Sequence, residues 1–134
     1  MKDPDFLTLD DLLALHADRI EQYGGSLGVR EVAGLSSALG MPSATFGGAF
    51  LHPTLPEMAA AYLFHVSQAH GFVDGNKRAA LAAALAFLSL NGYELEADPD
   101  ELYGLCIAVA AGSASKSDAS VFFARYLREM GDRR

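Results

Sequence analysis

Nine consecutive residues, His70-Gly71-Phe72-Val73-Asp74-Gly75-Asn76-Lys77-Arg78, bring together an imidazole, a carboxylate, an amide, two cations and two glycines. Asn76 opens a segment that reads as a helix over 76–90, so Lys77 and Arg78 fall in its first turn. That end of a helix carries a partial positive charge and unpaired N–H groups, and a cation there costs roughly 0.3–1 kcal/mol. A polyanion reverses the sign, because dipole, amides, Lys and Arg then all act on the same phosphate oxygens. Gly75 permits a backbone nest around such oxygens. Asp74 is a hard oxygen ligand suited to Mg²⁺, which takes one or two carboxylates and completes its shell with phosphate and water. His70 can accept a proton near neutral pH. Taken singly, Asp-Gly is a turn and Lys-Arg a solvated face; together at a helix start they read as a Mg-nucleotide site with its own general base.

The elements on either side must hold this cluster in place. Residues 55–69 form a second helical stretch behind the capping signal Thr54-Leu55-Pro56-Glu57. Both stretches are Ala-rich and apolar nearly all round, which marks a buried, closely packed antiparallel pair. In 76–90 the stripe Leu81, Leu85, Leu88 reads as core. A stiff pair of this kind suits catalysis by positioning. Within the loop, alternation sends Phe72 inward as an anchor and leaves His70 at the opening.

Further helices are expected from Thr8 to Gly24-Gly25, over Val29–Leu39 before Gly40 and Pro42, from Asp98-Pro99, and from about Ser117-Asp118 through Leu127. His16 lies on the apolar stripe of the first and reads as a core histidine. Gly40–Pro53 is expected to be a mobile loop or a short hairpin lying over the site, and Gly92–Glu96 a single short strand.

Composition narrows the function classes. A chain of 134 residues, 51% hydrophobic, fits one domain over 1–134 with a real core. A net charge of −7 argues against nucleic acid as the main ligand. The longest apolar run, Ala79 to Leu88, is far short of a bilayer span, and the N-terminal residues lack a secretory pattern; a cytoplasmic protein without membrane contact is expected. Lone Cys106 reads as a buried small hydrophobe. A metal-dependent phosphohydrolase is disfavoured, since no His-Asp dipeptide occurs. His65 and His70 lie about 140° apart on a helix, and His52 reads as an exposed loop residue. No Arg is followed by His at the four-to-six spacing of an all-α ribonuclease.

The nine-residue string resembles the signature of the Fic/Doc family, His-x-Phe-x-(Asp/Glu)-(Gly/Ala)-Asn-(Gly/Lys)-Arg, at every defined position. The pattern His16, Ile20, Tyr23, Gly24, Gly25 is similar to the N-terminal helix of the Doc (death-on-curing) branch, and the likeness runs over residues 8–128. The resemblance implies an all-α bundle of about six helices around a central antiparallel pair joined by the motif loop. It implies ATP and Mg²⁺, with His70 catalytic, Asp74 on the metal, and Gly75, Asn76, Lys77 and Arg78 on the phosphates. It further implies a toxin held in trans by a cognate antitoxin. The Doc branch transfers phosphate to a threonine of elongation factor Tu; the wider Fic type transfers AMP to a protein hydroxyl. AMP-transferring relatives carry a second Arg three residues after the first, where this chain has Leu81, which favours phosphate transfer. A nucleotide- or partner-binding relative without turnover is the further alternative, since Gln68 stands where the Doc branch has Arg and Gly75 where it has Ala. Self-inhibiting Fic proteins carry (Ser/Thr)-x-x-x-Glu-(Gly/Asn), and no Glu here is followed by Gly or Asn.

Overall fold

The computed structural model describes residues 3–131. Six helices make up most of it: α1 (Leu9–Tyr23), α2 (Val32–Gly40), α3 (Leu55–Ala69), α4 (Asn76–Leu90), α5 (Pro99–Ala111) and α6 (Lys116–Tyr126). Two antiparallel strand pairs complete the described residues, β1 (Thr45–Phe46) with β2 (Ala49–Phe50) and β3 (Tyr93–Leu95) with β4 (Leu127–Glu129).

Local chemistry sets most of the helix boundaries. Thr8 and Asp11 form a reciprocal capping box at the start of α1, and Ser115 and Asp118 do the same for α6. Thr54 caps α3 by accepting from the Glu57 N–H, and Asp98 caps α5 with Pro99 in its first turn. Helix α6 therefore begins at Lys116, slightly before the expected Ser117-Asp118. It stops at Tyr126, so Leu127 leaves the helix and pairs with Leu95. Val29 likewise lies outside α2.

Helices α3 and α4 run antiparallel at the centre of the molecule. Tyr62 meets Phe87 at a centroid distance of 5.1 Å, two turns before the connecting loop on one helix and three turns after it on the other. Seven alanines, at 59–61, 79, 80, 83 and 84, are completely buried. Where alanine methyl groups face the partner helix little side-chain bulk separates the two backbones, and rigidity follows from dense packing. The alanine face of α4, with Phe87 and Leu88, is the one turned inward; Leu81 and Leu85, expected in the core, are only half-buried and line a cleft. Helix α6 packs on the other side of α3, and α1 covers α4.

The β1–β2 hairpin does not lie over the motif loop. Phe50 packs on Phe6, which in turn stacks on Phe87 in the last turn of α4. The hairpin therefore sits by the N-terminal end of α3, about 20 Å of helix away from His70.

Candidate active site

Helix α3 ends at Ala69, and His70 follows in the left-handed conformation with φ 47°, the only non-glycine residue with positive φ among the described residues. Such a backbone costs a side-chain-bearing residue roughly 1–2 kcal/mol, so the surroundings must hold it. Gly71 is where they take hold. A Cβ there would lie 2.3 Å from Leu35 Cδ2, so only glycine lets the chain pass this close to α2. The Gly71 carbonyl accepts from the Arg30 and Glu31 N–H groups (2.7 and 3.0 Å). The Val73 N–H donates to the Gly28 carbonyl (3.1 Å), with Val29 bridged to Phe72. Phe72 is 1% exposed, the inward anchor expected from alternation. The imidazole of His70 is exposed and makes no side-chain hydrogen bond among the described residues.

Asn76 closes the loop. Its Oδ1 accepts from the Phe72 N–H (3.0 Å) and its Nδ2 donates to the Phe72 carbonyl (3.1 Å). The side-chain amide is thus tied to the loop through its oxygen and one N–H, and its second N–H and the Asn76 backbone N–H are what the residue can offer a ligand. Gly75 adopts φ 76°, ψ 23° before α4. The first N–H of α4 with an intrahelical carbonyl is that of Ala79, bonded to Gly75 (2.9 Å). The N–H groups of Asn76, Lys77 and Arg78 precede it and stay open at the helix start.

The Asp74 carboxylate lies at the surface with partners of its own. Oδ2 accepts from the Ser26 N–H (3.2 Å) and Oδ1 from the Gly75 N–H (2.9 Å). A carboxylate offers about four lone-pair sites, so two backbone bonds leave room for a cation. Among the described residues no group of three His, Cys, Asp or Glu could hold a metal, so a cation at Asp74 would need its other ligands from outside the chain. Lys77 is exposed, while the Arg78 guanidinium lies 5.0 Å from the Tyr23 ring centre and Arg19 shares that ring at 5.5 Å. These residues form the charged end of a cleft of about 310 Å³, whose other walls are Leu81, Leu85 and Tyr103 with Cys106 beneath. Burial pushes the Cys106 thiol up to about 12, so it is an inert wall. A larger cleft of about 730 Å³ lies at the far end beside Phe50 and Asn91, and no cation lines it among the described residues.

Residues 25–31 and His16 were not singled out as site residues, yet they clamp the loop. Gly24-Gly25 reads in the sequence as a helix stop and as part of the Doc-like pattern; in the fold a Cβ on Gly25 would come within 2.7 Å of Asp74 Oδ2. His16 is buried, as expected, but it stacks on Phe72 (3.7 Å, 5° between planes) and reaches the Asp74 carbonyl at 2.7 Å. Gln68 turns away from the loop, donating to the Val109 carbonyl on α5 (3.3 Å). His52, expected to be exposed, is 7% exposed. His65 stands apart from the site, 3.1 Å from Lys116 Nζ.

The sequence model of the Fic/DOC family matches residues 6–88, which include α1, the clamping segment, α3 and the whole motif loop. The chain belongs to that family. Two relatives agree. The protein named Toxin Doc of Mycolicibacterium smegmatis is 46% identical over 78 residues, covering 58% of this chain and 60% of the relative. The Protein kinase doc of Escherichia phage P1 is 36% identical over 112 residues, covering 83% and 86%. The mycobacterial match thus spans less than two thirds of that protein's length. As a Fic/DOC protein the chain has the expected six helices around the α3–α4 pair.

Proposed function

We propose that this protein is a phosphotransferase that moves the γ-phosphate of ATP onto a Ser or Thr hydroxyl of a protein. The observation that carries the reading is the exposed His70 imidazole on a clamped loop that runs directly into three open N–H groups, Lys77 and Arg78. His70 removes the proton of the acceptor hydroxyl as its oxygen bonds to the γ-phosphorus. The bond from that phosphorus to the bridging β,γ-oxygen breaks, and ADP departs. Phosphoryl transfer asks for positioning and charge neutralisation more than covalent chemistry. Lys77, Arg78 and the open amides of Asn76, Lys77 and Arg78 supply that, with the Gly75 N–H beside them once it leaves Asp74 Oδ1; the Asn76 side chain also holds Phe72. Asp74 would hold Mg²⁺, which when bound offsets the charge of the polyphosphate.

Leu81 lies one turn beyond Arg78 and can neither donate nor carry charge. The absence of a second clamp there favours transfer of the terminal phosphate over AMP. The names of the two relatives, a toxin and a protein kinase, support a toxin with kinase chemistry; the resemblance to the Doc branch adds elongation factor Tu as the acceptor we propose. On this reading a cognate antitoxin restrains it in trans and it works in the cytoplasm. No helix among the described residues is long and apolar enough to cross a membrane.

The test is to incubate the protein with elongation factor Tu and ATP labelled on the α- or the γ-phosphate. Protein-bound γ-label alone is the expected result. Bound α-label would select AMP transfer, and no bound label with retained nucleotide binding would select a binding protein. His70→Ala should reduce labelling by about 10²–10⁴-fold, the usual cost of a lost general base, while ATP still binds.

A further inference from the structure

We propose that His16 is a positioning residue: it latches the Asp74–Gly75 peptide so that the Gly75 N–H joins the open amides of α4. This rests on the phosphate site read above. The Asp74 carbonyl only accepts, so at 2.7 Å the Nε2 of His16 must carry the proton. The ring cannot drift, being 3% exposed and stacked on Phe72. In a trans peptide the C=O and N–H point in opposite directions. A carbonyl turned inward to His16 therefore turns the Gly75 N–H outward, where its present acceptor is the neighbouring Asp74 Oδ1 (2.9 Å).

The latch is needed because residue 75 is glycine. A peptide flip changes only ψ of residue 74 and φ of residue 75, and glycine takes either sign of φ with little penalty. Inverted, the peptide would present the Asp74 carbonyl to the phosphates, replacing a donor with an acceptor. Inversion would also break the Gly75 N–H bond to Asp74 Oδ1, but the clamps on the neighbouring residues do not oppose it. Gly28 grips Val73, Asn76 grips Phe72, and Ser26 grips the Asp74 side chain. Among the described residues His16 supplies the only hydrogen bond to the carbonyl itself.

Two substitutions separate the latch from mere core filling. His16→Phe keeps a flat ring against Phe72 and removes the donor. His16→Gln carries an amide N–H to about the same reach and removes the stack. Partners that orient a ligating group typically matter by about 10–100-fold. The Phe variant should lose that much in kcat for γ-phosphate transfer, and the Gln variant should regain most of it despite a lower Tm. The reverse order, Phe active and Gln damaged in step with Tm, overturns the latch. Two readouts stand apart from turnover. The imidazole nitrogen NMR shifts should show His16 protonated on Nε2, and the Gly75 amide signal should shift between the parent and His16→Phe. A proton on Nδ1 alone in the parent overturns the proposal even if no variant folds well enough to assay, and equal Gly75 signals overturn it wherever His16→Phe folds. A parent that transfers no phosphate but shows both signals would retain the latch and remove the phosphotransferase reading.

Discussion

Removing the Asn76 amide leaves the N–H and C=O of Phe72 without partners next to a fully buried ring, because both are bonded to that one side chain. An orphaned buried polar group costs about 1–3 kcal/mol. Asn76→Ala should therefore lower the thermal midpoint well beyond the shift in Lys77→Ala. Lys77 is exposed and without a protein partner among the described residues, so its loss should leave stability within about 0.5 kcal/mol while raising KM for ATP. Calorimetry beside steady-state kinetics separates the two. Gly75 gives a further check. A methyl group there would lie 3.0 Å from Ile20 Cδ1 on a backbone with φ 76°, and the left-handed conformation alone costs a side chain about 1–2 kcal/mol. Gly75→Ala should fold with a reduced midpoint, and the simultaneous Ile20→Val should recover part of the loss.

Helices α3 and α6 meet at a place the motif does not explain. His65 on α3 lies 3.1 Å from Lys116 Nζ at the start of α6. Burial, then the charges of Lys116 and His52, hold the His65 imidazole down to about 4. Burial and Lys116 also lower His52, against the Met41 carbonyl and Glu57, which raise it. Both imidazoles are thus kept neutral in the fold and protonate more readily in the unfolded chain. A lowered histidine contributes stability above about pH 6.5, the unfolded value; that contribution is lost as pH falls from there towards 4. The thermal midpoint should decline over that window, and His65→Gln should flatten the decline; an unchanged slope would mean that His65 is not the group responsible. The helices themselves are legible because their signals are local: Thr8 with Asp11, Thr54 with Glu57, and Asp98-Pro99 mark three starts within four residues each, whereas the Ser115 cap of α6 lies two residues before the start expected from the sequence. The β3–β4 pairing is not legible, since Glu94 and Arg128 find each other across 34 positions. The clamp on the motif loop escaped for the same reason. Ser26 and Asp74 are 48 residues apart, and no spacing rule connects a helix-stopping glycine pair to a carboxylate on another loop. The orientation of α4 escaped because its leucine stripe and its alanine face are both apolar, and only packing against α3 decides which is buried.

The charge of the whole molecule opposes the ligand proposed for it. The chain carries −7, yet Arg19, Lys77 and Arg78 converge on one end of one cleft. The range of each field decides which governs binding. At physiological salt exposed charges are screened over about 8 Å. Asp10 lies thirteen residues before Tyr23 on α1, about 20 Å away along the axis. Arg19 and Arg78 flank the same Tyr23 ring at 5.5 and 5.0 Å, so Arg19 acts within the screening distance of the motif helix, although its charge is partly offset by the Asp18 carboxylate at 2.5 Å. Asp10→Asn should accordingly leave KM for ATP unchanged, although it reduces the net charge. Arg19→Gln, which makes the net charge more negative by the same amount, should raise KM by about 2–5-fold, as the loss of roughly 0.5–1 kcal/mol of exposed charge interaction requires. Added salt gives the same decision without mutation. If the local cations govern binding, KM rises between low and high ionic strength; if the acidic body of the protein governs it, screening relieves the repulsion and KM falls. A fall in KM, or equal and opposite effects of Asp10→Asn and Arg19→Gln, would mean that net charge controls access and that the cations at the end of the cleft do not.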